Sequence, residues 1–410
     1  VTFGIGLAAM SAGQSFAQNA TEKVEVIHWF TSASEVAGIK SLAASVARQK
    51  AEWVDTAIAN GDAAKTAGLN RTVSGNPPGA LQLNTGKELD DAYVNGLLRN
   101  VDDVAKADNW QGSLPPAIYD AIVRDGHVVA IPINNYAQNR LFYSKAVLSH
   151  AGFDAPAKDW DEMFRQMDAL KQKGVIPLAL GGQSWQERIL FNSILAGVGG
   201  KDLYVKVWHD NDADALRSDD FRKVAEIFGK LRGYVDPASP NRSWNETALL
   251  LSQGKAAYQF MGDWAKGELI TDGLQSGKDF GGTFGPGKQV FVWGGDVFVL
   301  PTSKDPVLQK AQDDFARGVF DADAQIQANL AWGSIPARVD IDASGFDDIA
   351  KAGVKAMKDP SMNVADSNVL ATGDQVRSLE DLISEYWATP SIDPAAFVDR
   401  WLQEAAMARQ

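Results

Sequence analysis

The chain contains no cysteine, which excludes disulfides, thiolate metal sites and a cysteine nucleophile. Histidine is scarce. His28, His127, His150 and His209 are the four, and no two of them stand at metal-ligand spacing. Neither a metal nor a cofactor is expected. Cations are in deficit: 39 Lys and Arg against 52 Asp and Glu give a net charge of −13. That argues against nucleic acid and anionic lipid surfaces, both of which demand clustered Lys and Arg. No apolar run reaches the about 20 residues a membrane helix requires. Residues 1–10 are apolar and small, and Ser15-Phe16-Ala17 before Gln18 has the small-x-small shape of a signal peptidase site. Residues 1–17 therefore read as the remnant of a signal peptide. The expectation is a soluble exported protein, periplasmic in a Gram-negative cell, with no cysteine at the cleavage point to carry a lipid anchor.

Several catalytic and nucleotide motifs fail on inspection. Residues 282–288 match the spacing of a phosphate loop, but Gln289 stands where Ser or Thr would hold magnesium, and a strand rather than a helix follows. The Gly4-Ile5-Gly6-Leu7-Ala8-Ala9 run mimics a dinucleotide turn inside the signal segment. There is no G-x-S-x-G elbow. Acidic pairs are available to a glycosidase, Glu35 and Asp263 among them, but nothing singles one out.

What is present is an alternation of strands and helices over 410 residues, about the length of two domains. Residues 23–30 read as a strand ending in Thr31-Ser32-Ala33-Ser34-Glu35, a polar loop able to cap a helix. Residues 41–58 read as that helix, with Leu42, Val46, Trp53, Val54 and Ala57 on its buried side. Residues 88–104 read as a second helix, and 126–133 as a strand crossing to the next domain. Asp159-Trp160-Asp161-Glu162 resembles a capping box. Residues 175–180, 254–261, 289–293 and 297–300 read as further strands, and 306–331 as one or two helices. The fold class is α/β, with loops at strand ends where ligands collect.

Three loops stand out. Gly75-Asn76-Pro77-Pro78 is a rigid turn, because proline fixes φ and removes a donor. Gly181-Gly182-Gln183-Ser184-Trp185-Gln186 and Met261-Gly262-Asp263-Trp264 carry tryptophan beside polar groups. Twelve tryptophans are used, and Trp29, Trp185, Trp244, Trp264, Trp293 and Trp332 fall in such loops. A sugar presents an apolar C–H face and a rim of hydroxyls. Aromatic rings cover the face, and amides and carboxylates pair with the rim. Asn76, Gln82, Gln183, Gln186, Asn245, Asp263 and Asp296 supply that polar half.

From about residue 24 to the C-terminus the chain resembles the periplasmic sugar-binding proteins of ABC importers, within the glucose/mannose-binding group. The resemblance rests on several motifs. These are His28-Trp29-Phe30-Thr31-Ser32 (the family favours two tryptophans), Val73-Ser74-Gly75-Asn76-Pro77-Pro78, Gly126-His127, Gly181-Gly182-Gln183, Phe260-Met261-Gly262-Asp263-Trp264 and Gly333-Ser334-Ile335-Pro336. It implies two α/β lobes joined by a multi-strand hinge and closing on one sugar: 21–133 with 285–331, and 134–284 with 332–410. It implies that Trp29, Phe30 and Glu35 face the sugar from the first lobe, and that Trp244, Trp264 and Asp296 line the cleft with Gln82 close by. Three positions depart from the glucose-binding pattern. Leu83-Asn84 stands for a lysine after Gln82, Trp332 for a lysine before Gly-Ser-Ile-Pro, and Asn363-Val364 for a histidine after Met362. A monosaccharide or a small glycoside is expected, delivered to membrane permease subunits by a non-enzymatic monomer. The alternatives are a receptor for a sugar alcohol or for chemosensing, which ligand screening and neighbouring permease genes discriminate, and a secreted glycoside hydrolase, which turnover of chromogenic glycosides discriminates.

Overall fold

The computed structural model describes residues 22–408; the expected signal segment lies outside them. Three sheets organise the chain. The first runs in the order β2 (Ala51–Ala57), β1 (Glu22–His28), β3 (Ala80–Asn84), β13 (Asp296–Val299), β6 (Ile131–Pro132). Strands β1, β2 and β3 are parallel, and β13 is antiparallel to β3 and β6. The second sheet runs β11 (Phe280–Thr283), β8 (Arg140–Ser144), β10 (Ala256–Met261), β9 (Ile176–Leu178). A small third sheet, β14 (Asn363–Ala365), β12 (Phe291–Gly294), β7 (Tyr136–Ala137), lies where the chain crosses between the other two. A short hairpin, β4 (Val123–Arg124) and β5 (His127–Val128), completes the strands among the described residues.

Each large sheet has its own apolar core. Val24, Val26 and Ile27 of β1 pack with Leu42, Val46, Phe298, Phe315 and Val319, and Ile335, Phe346 and Ala350 join this cluster from the segment after residue 332. Around the second sheet, Leu141, Tyr258 and Phe260 face Met163, Phe191, Phe228, Ile383 and Trp401. Their strand neighbours Phe142 and Met261 face the opposite side, with Ile189, Leu269 and Phe280, as the two-residue side-chain period of a strand requires.

Three expectations change. The helix expected over 41–58 is the helix Ala33–Arg48, opened by a Ser32–Glu35 capping box, and Trp53, Val54 and Ala57 lie on strand β2. The break falls at Lys50, whose φ is 69°; a left-handed lysine carries none of the glycine signal that usually marks such a turn. The helix over 88–104 stops at Val94, turns through Gly96 and restarts at Asp102. The strand expected over 126–133 divides, its first part in the hairpin and its second in β6.

Candidate functional site

A cavity of about 270 Å³ lies between the two large sheets, beside the crossing strands. Its lining follows the carboxyl ends of parallel strands on both sides, where α/β sheets gather ligands. Trp29, Phe30 and Thr31 follow β1; Asn60, Gly61, Asp62 and Lys65 follow β2; Asn84 ends β3. Across the gap, Gln183 and Trp185 follow β9, and Trp264 follows β10.

The loop after β1 is held from behind. Trp29 N–H donates to Gln82 Oε1 at 3.0 Å, and Gln82, fully buried in β3, does not itself line the cavity. Thr31 and Ser32 N–H donate to Glu35 Oε2 at 2.8 and 2.9 Å. Burial pushes the Glu35 carboxyl up to about 7, and the neighbouring Glu268 adds to the rise. Phe30 meets Trp29 edge-on at 6.2 Å and leans on Trp332 at 5.0 Å. Trp332 ends the helix Ala322–Trp332 and is followed by left-handed Gly333. Its Nε1 donates to Glu35 O at 3.0 Å. The ring lies so close to Gly38 that a Cβ there would fall 2.0 Å from Nε1. Trp332 is thus a fixed, buried wall of the cavity.

The floor is polar. The β3–β13 register sets Asn84 beside Asp296, and Asn84 Nδ2 donates to Asp296 Oδ1 at 3.2 Å. Asn134 Nδ2 donates to Oδ2 at 2.8 Å. Burial holds the Asp296 carboxyl up to about 7. Tyr136 of β7 stands edge-on to Trp264 at 4.9 Å.

On the far side, Trp185, Trp244 and Trp264 each occupy the first turn of a helix, Ser184–Trp208, Trp244–Ser252 and Trp264–Thr271. Gln183 Oε1 accepts from Gln186 Nε2 at 2.9 Å and Trp244 N–H at 3.2 Å, tying two of these loops together. The rings of Trp185 and Trp264 sit 6.2 Å apart. The helix carrying Trp264 also reaches the opposite wall, where Ser34 N–H donates to Glu268 Oε1 at 3.1 Å.

Trp29, Phe30, Glu35, Asn84, Gln183, Trp244, Trp264, Asp296 and Trp332 therefore share one cavity. Two other expected residues lie behind it. Asp263 binds Arg140 Nε and Nη2 at 2.8 and 3.3 Å and accepts from Ala137 N–H at 2.9 Å, with both side chains almost fully buried. Asn363 Nδ2 donates to the carbonyls of Ala356, Met357 and Asp359 at 2.8–3.1 Å, closing the end of the helix Asp348–Met357. Trp293 is buried in β12 within the first core. The Gly75-Asn76-Pro77-Pro78 turn precedes β3 and so sits at the end of that strand away from Asn84; its residues do not line the cavity. Gln186 and Asn245 do not line it either.

Sequence reasoning missed Asn60, Asp62, Lys65, Glu88, Arg188 and Glu380, which all line the cavity. The first three were hidden by reading β2 as helix, which erased the strand-to-helix loop that Asn60 caps by accepting from Ala63 N–H at 2.9 Å. Among the described residues no group of three or more His, Asp or Glu is placed to hold a metal ion, and no helix is long and apolar enough to cross a membrane.

Two α/β lobes, three crossing strands and an aromatic cleft between them define a two-lobed solute receptor fold. The chain belongs to the bacterial extracellular solute-binding proteins, whose family profile matches residues 58–357. It is 35% identical over 362 residues to a probable sugar-binding periplasmic protein of Brucella suis biovar 1 (strain 1330), covering 87% of this chain and 85% of that one. It is 34% identical over 351 residues to a protein of the same description from Rhizobium meliloti (strain 1021), covering 85% and 84%. A chitin oligosaccharide binding protein superposes with a TM-score of 0.81 at 18% identity, covering 95% of this chain and 99% of that one. The solute receptor AcbH, described as preferring β-D-galactopyranose, superposes with 0.79 at 18% identity, covering 94% and 99%. At that identity these two speak for the fold.

Proposed function

We propose that the protein is a periplasmic receptor that captures a monosaccharide or small glycoside between its lobes and hands it to the permease of an ABC importer. The observation that carries this reading is the facing of rings and hydroxyl-pairing groups across one small cavity: Trp29 against Trp185, Trp244 and Trp264, with Asn84, Asn134 and Asp296 between them. The cavity's 270 Å³ falls just under the about 300–1,000 Å³ of small-molecule pockets, which favours one or two sugar rings. The relatives' descriptions as sugar-binding periplasmic proteins support the same ligand class and compartment.

In this reading the first lobe takes residues 22–132 with 296–357, the second takes 138–283 with 367–408, and β7, β12 and β14 form the hinge, in keeping with the two cores. Ligand contacts to both lobes favour the closed form that docks on the permease. The protein binds without turning its ligand over. Glu35 lines the cavity, but Asp263 is paired with Arg140 behind it, so the acidic pair named from sequence does not meet across the cleft.

Titration calorimetry against neutral aldohexoses, their methyl glycosides, disaccharides and hexitols tests the proposal. Saturable binding of one sugar class without hydrolysis of chromogenic glycosides is expected. Binding of none of them, or turnover lost in a Glu35→Gln variant, would overturn it.

A further inference from the structure

We propose that Lys65 reads a hydroxyl of the ligand and that Glu88, by cancelling its charge, makes the cleft take a neutral sugar in preference to a uronate. The inference rests on the sugar-receptor reading and goes beyond it, to what the cleft selects. Lys65 projects from the helix Gly61–Val73 into the cavity, with its side chain 17% exposed. Its Nζ lies 2.6 Å from Glu88 Oε1 and donates to Asn84 Oδ1 at 2.8 Å. The ammonium sits 5.2 Å from the centre of the Trp29 ring. An ammonium has three N–H donors. Glu88 and Asn84 occupy two of them, which leaves the third for a ligand oxygen beside the ring that would cover the sugar's face. Asn84 in turn donates to Asp296 Oδ1. Glu88, Lys65, Asn84 and Asp296 thus form a row along one wall, with a cationic donor at one point and a carboxylate acceptor further along. A sugar hydroxyl is both acceptor and donor, and vicinal hydroxyls can engage both members of such a row.

The lysines of the glucose-binding pattern are absent after Gln82 and before Gly333. Lys65 brings an ammonium to the cavity from a different element. The row is also rigid: Glu88 Oε2 accepts from Asn84 N–H at 2.7 Å, so the carboxylate that balances Lys65 is itself fixed to β3. The cavity's other two cations are balanced as well, Arg188 by Glu380 at 2.7 Å and Arg377 by Asp374. A ligand carboxylate would find each cation that lines the cavity among the described residues already paired, and it would lie near Glu88.

Calorimetry on the full chain tests this, with D-glucose, D-mannose, D-galactose, their singly deoxygenated forms and the matching uronates as probes. Lys65→Met should weaken the preferred neutral sugar by about tenfold or more, the scale of one hydrogen bond to a charged donor. It should leave the affinity for one deoxy form, the one lacking the hydroxyl that is read, little changed. Glu88→Gln should raise affinity for the uronate relative to its neutral parent by about tenfold. If Lys65→Met weakens the parent and every deoxy form equally, Lys65 merely holds its helix in place and the inference falls. An unchanged uronate-to-neutral ratio in Glu88→Gln overturns it too, as does a wild-type protein that prefers the uronate. Glu88→Gln keeps the experiment decisive if Lys65→Met does not fold. A wild-type protein that binds no sugar at all would instead sink the receptor reading.

Discussion

Asp263→Asn separates a residue that holds the hinge from one that holds the ligand. Asp263 carries the only carboxylate within ion-pair distance of Arg140 among the described residues, at 2.8 and 3.3 Å, and both side chains are at most 2% exposed. The Arg140 guanidinium also lies 4.4 Å from the centre of the Phe284 ring, a position that excludes water. The amide keeps the shape of the side chain, and with its oxygen still accepting from Ala137 N–H its NH2 faces the Arg140 Nε–H, so the substitution removes the charge and sets one donor against another. Breaking a buried pair by neutralising one partner costs about 3–5 kcal/mol, because the other charge is left uncompensated. With a urea slope of about 3 kcal/mol/M, the unfolding midpoint should fall by about 1–1.7 M. Pairing Asp263→Asn with Arg140→Met should recover much of that loss, since the stranded charge is then gone. Urea unfolding followed by tryptophan fluorescence measures the midpoint, and calorimetry measures the ligand affinity of the folded protein. Stability should drop while the affinity of the folded fraction holds. A variant as stable as the wild type that no longer binds would refute the reasoning and return Asp263 to the ligand.

Trp264→Ala should weaken the ligand by about 2 kcal/mol, roughly 30-fold, because it removes one stacking face of the cleft; unchanged affinity by calorimetry would remove that ring from the site. Trp332→Lys should destabilise by about 3–5 kcal/mol, since it deletes a buried ring and the bond to Glu35 O. It should also loosen Phe30 and lower affinity; a gain for glucose would show instead that the lysine position can be restored. Asn363→Ala should cost about 1 kcal/mol by removing the side-chain donor to the carbonyls of residues 356, 357 and 359, of which 356 and 359 keep a backbone donor, with no change in ligand affinity. Asp296 and Glu35 are both held up to about 7, above the ordinary carboxylate range. The folded state therefore binds their protons more tightly than the unfolded one, and their stabilising contribution is complete in acid and lost as pH rises through about 7. The ligand-free protein should be harder to unfold near pH 5.5 than near pH 8, and Asp296→Asn should flatten that difference; an unaltered pH profile in the variant would contradict the assignment.

The α/β class and most of the strand-and-helix alternation were legible, because strands β10, β12 and β13 are buried, largely apolar runs and β1 alternates buried valines with charged residues before a polar loop. The aromatic side of the cleft was legible as well. Trp185, Trp244 and Trp264 stand at helix starts, where Gly, Asn, Gln and Ser neighbours mark a loop. What sequence could not resolve was the depth of a polar residue behind that loop. Asp263 and Trp264 are adjacent, yet one line of sight from the cavity meets only the ring. The carboxylate turns the other way, to an arginine 123 residues distant in sequence.

The same limit explains the proline turn. A rigid loop in an α/β domain can lie at either end of its strand, and composition does not say which. Residues 75–78 precede β3, whereas the cleft gathers loops that leave the carboxyl ends of parallel strands. The turn sets where β3 begins, and the register from there places Gln82 beneath Trp29 and Asn84 beside Asp296. Its influence on binding therefore passes along five residues of strand. Lys65, the cation proposed to read the ligand, enters from the helix after β2, a strand that the sequence alone reads as helix. Locating Lys65 required knowing that β2 is a strand, because only the carboxyl end of a strand delivers the helix after it to the cleft.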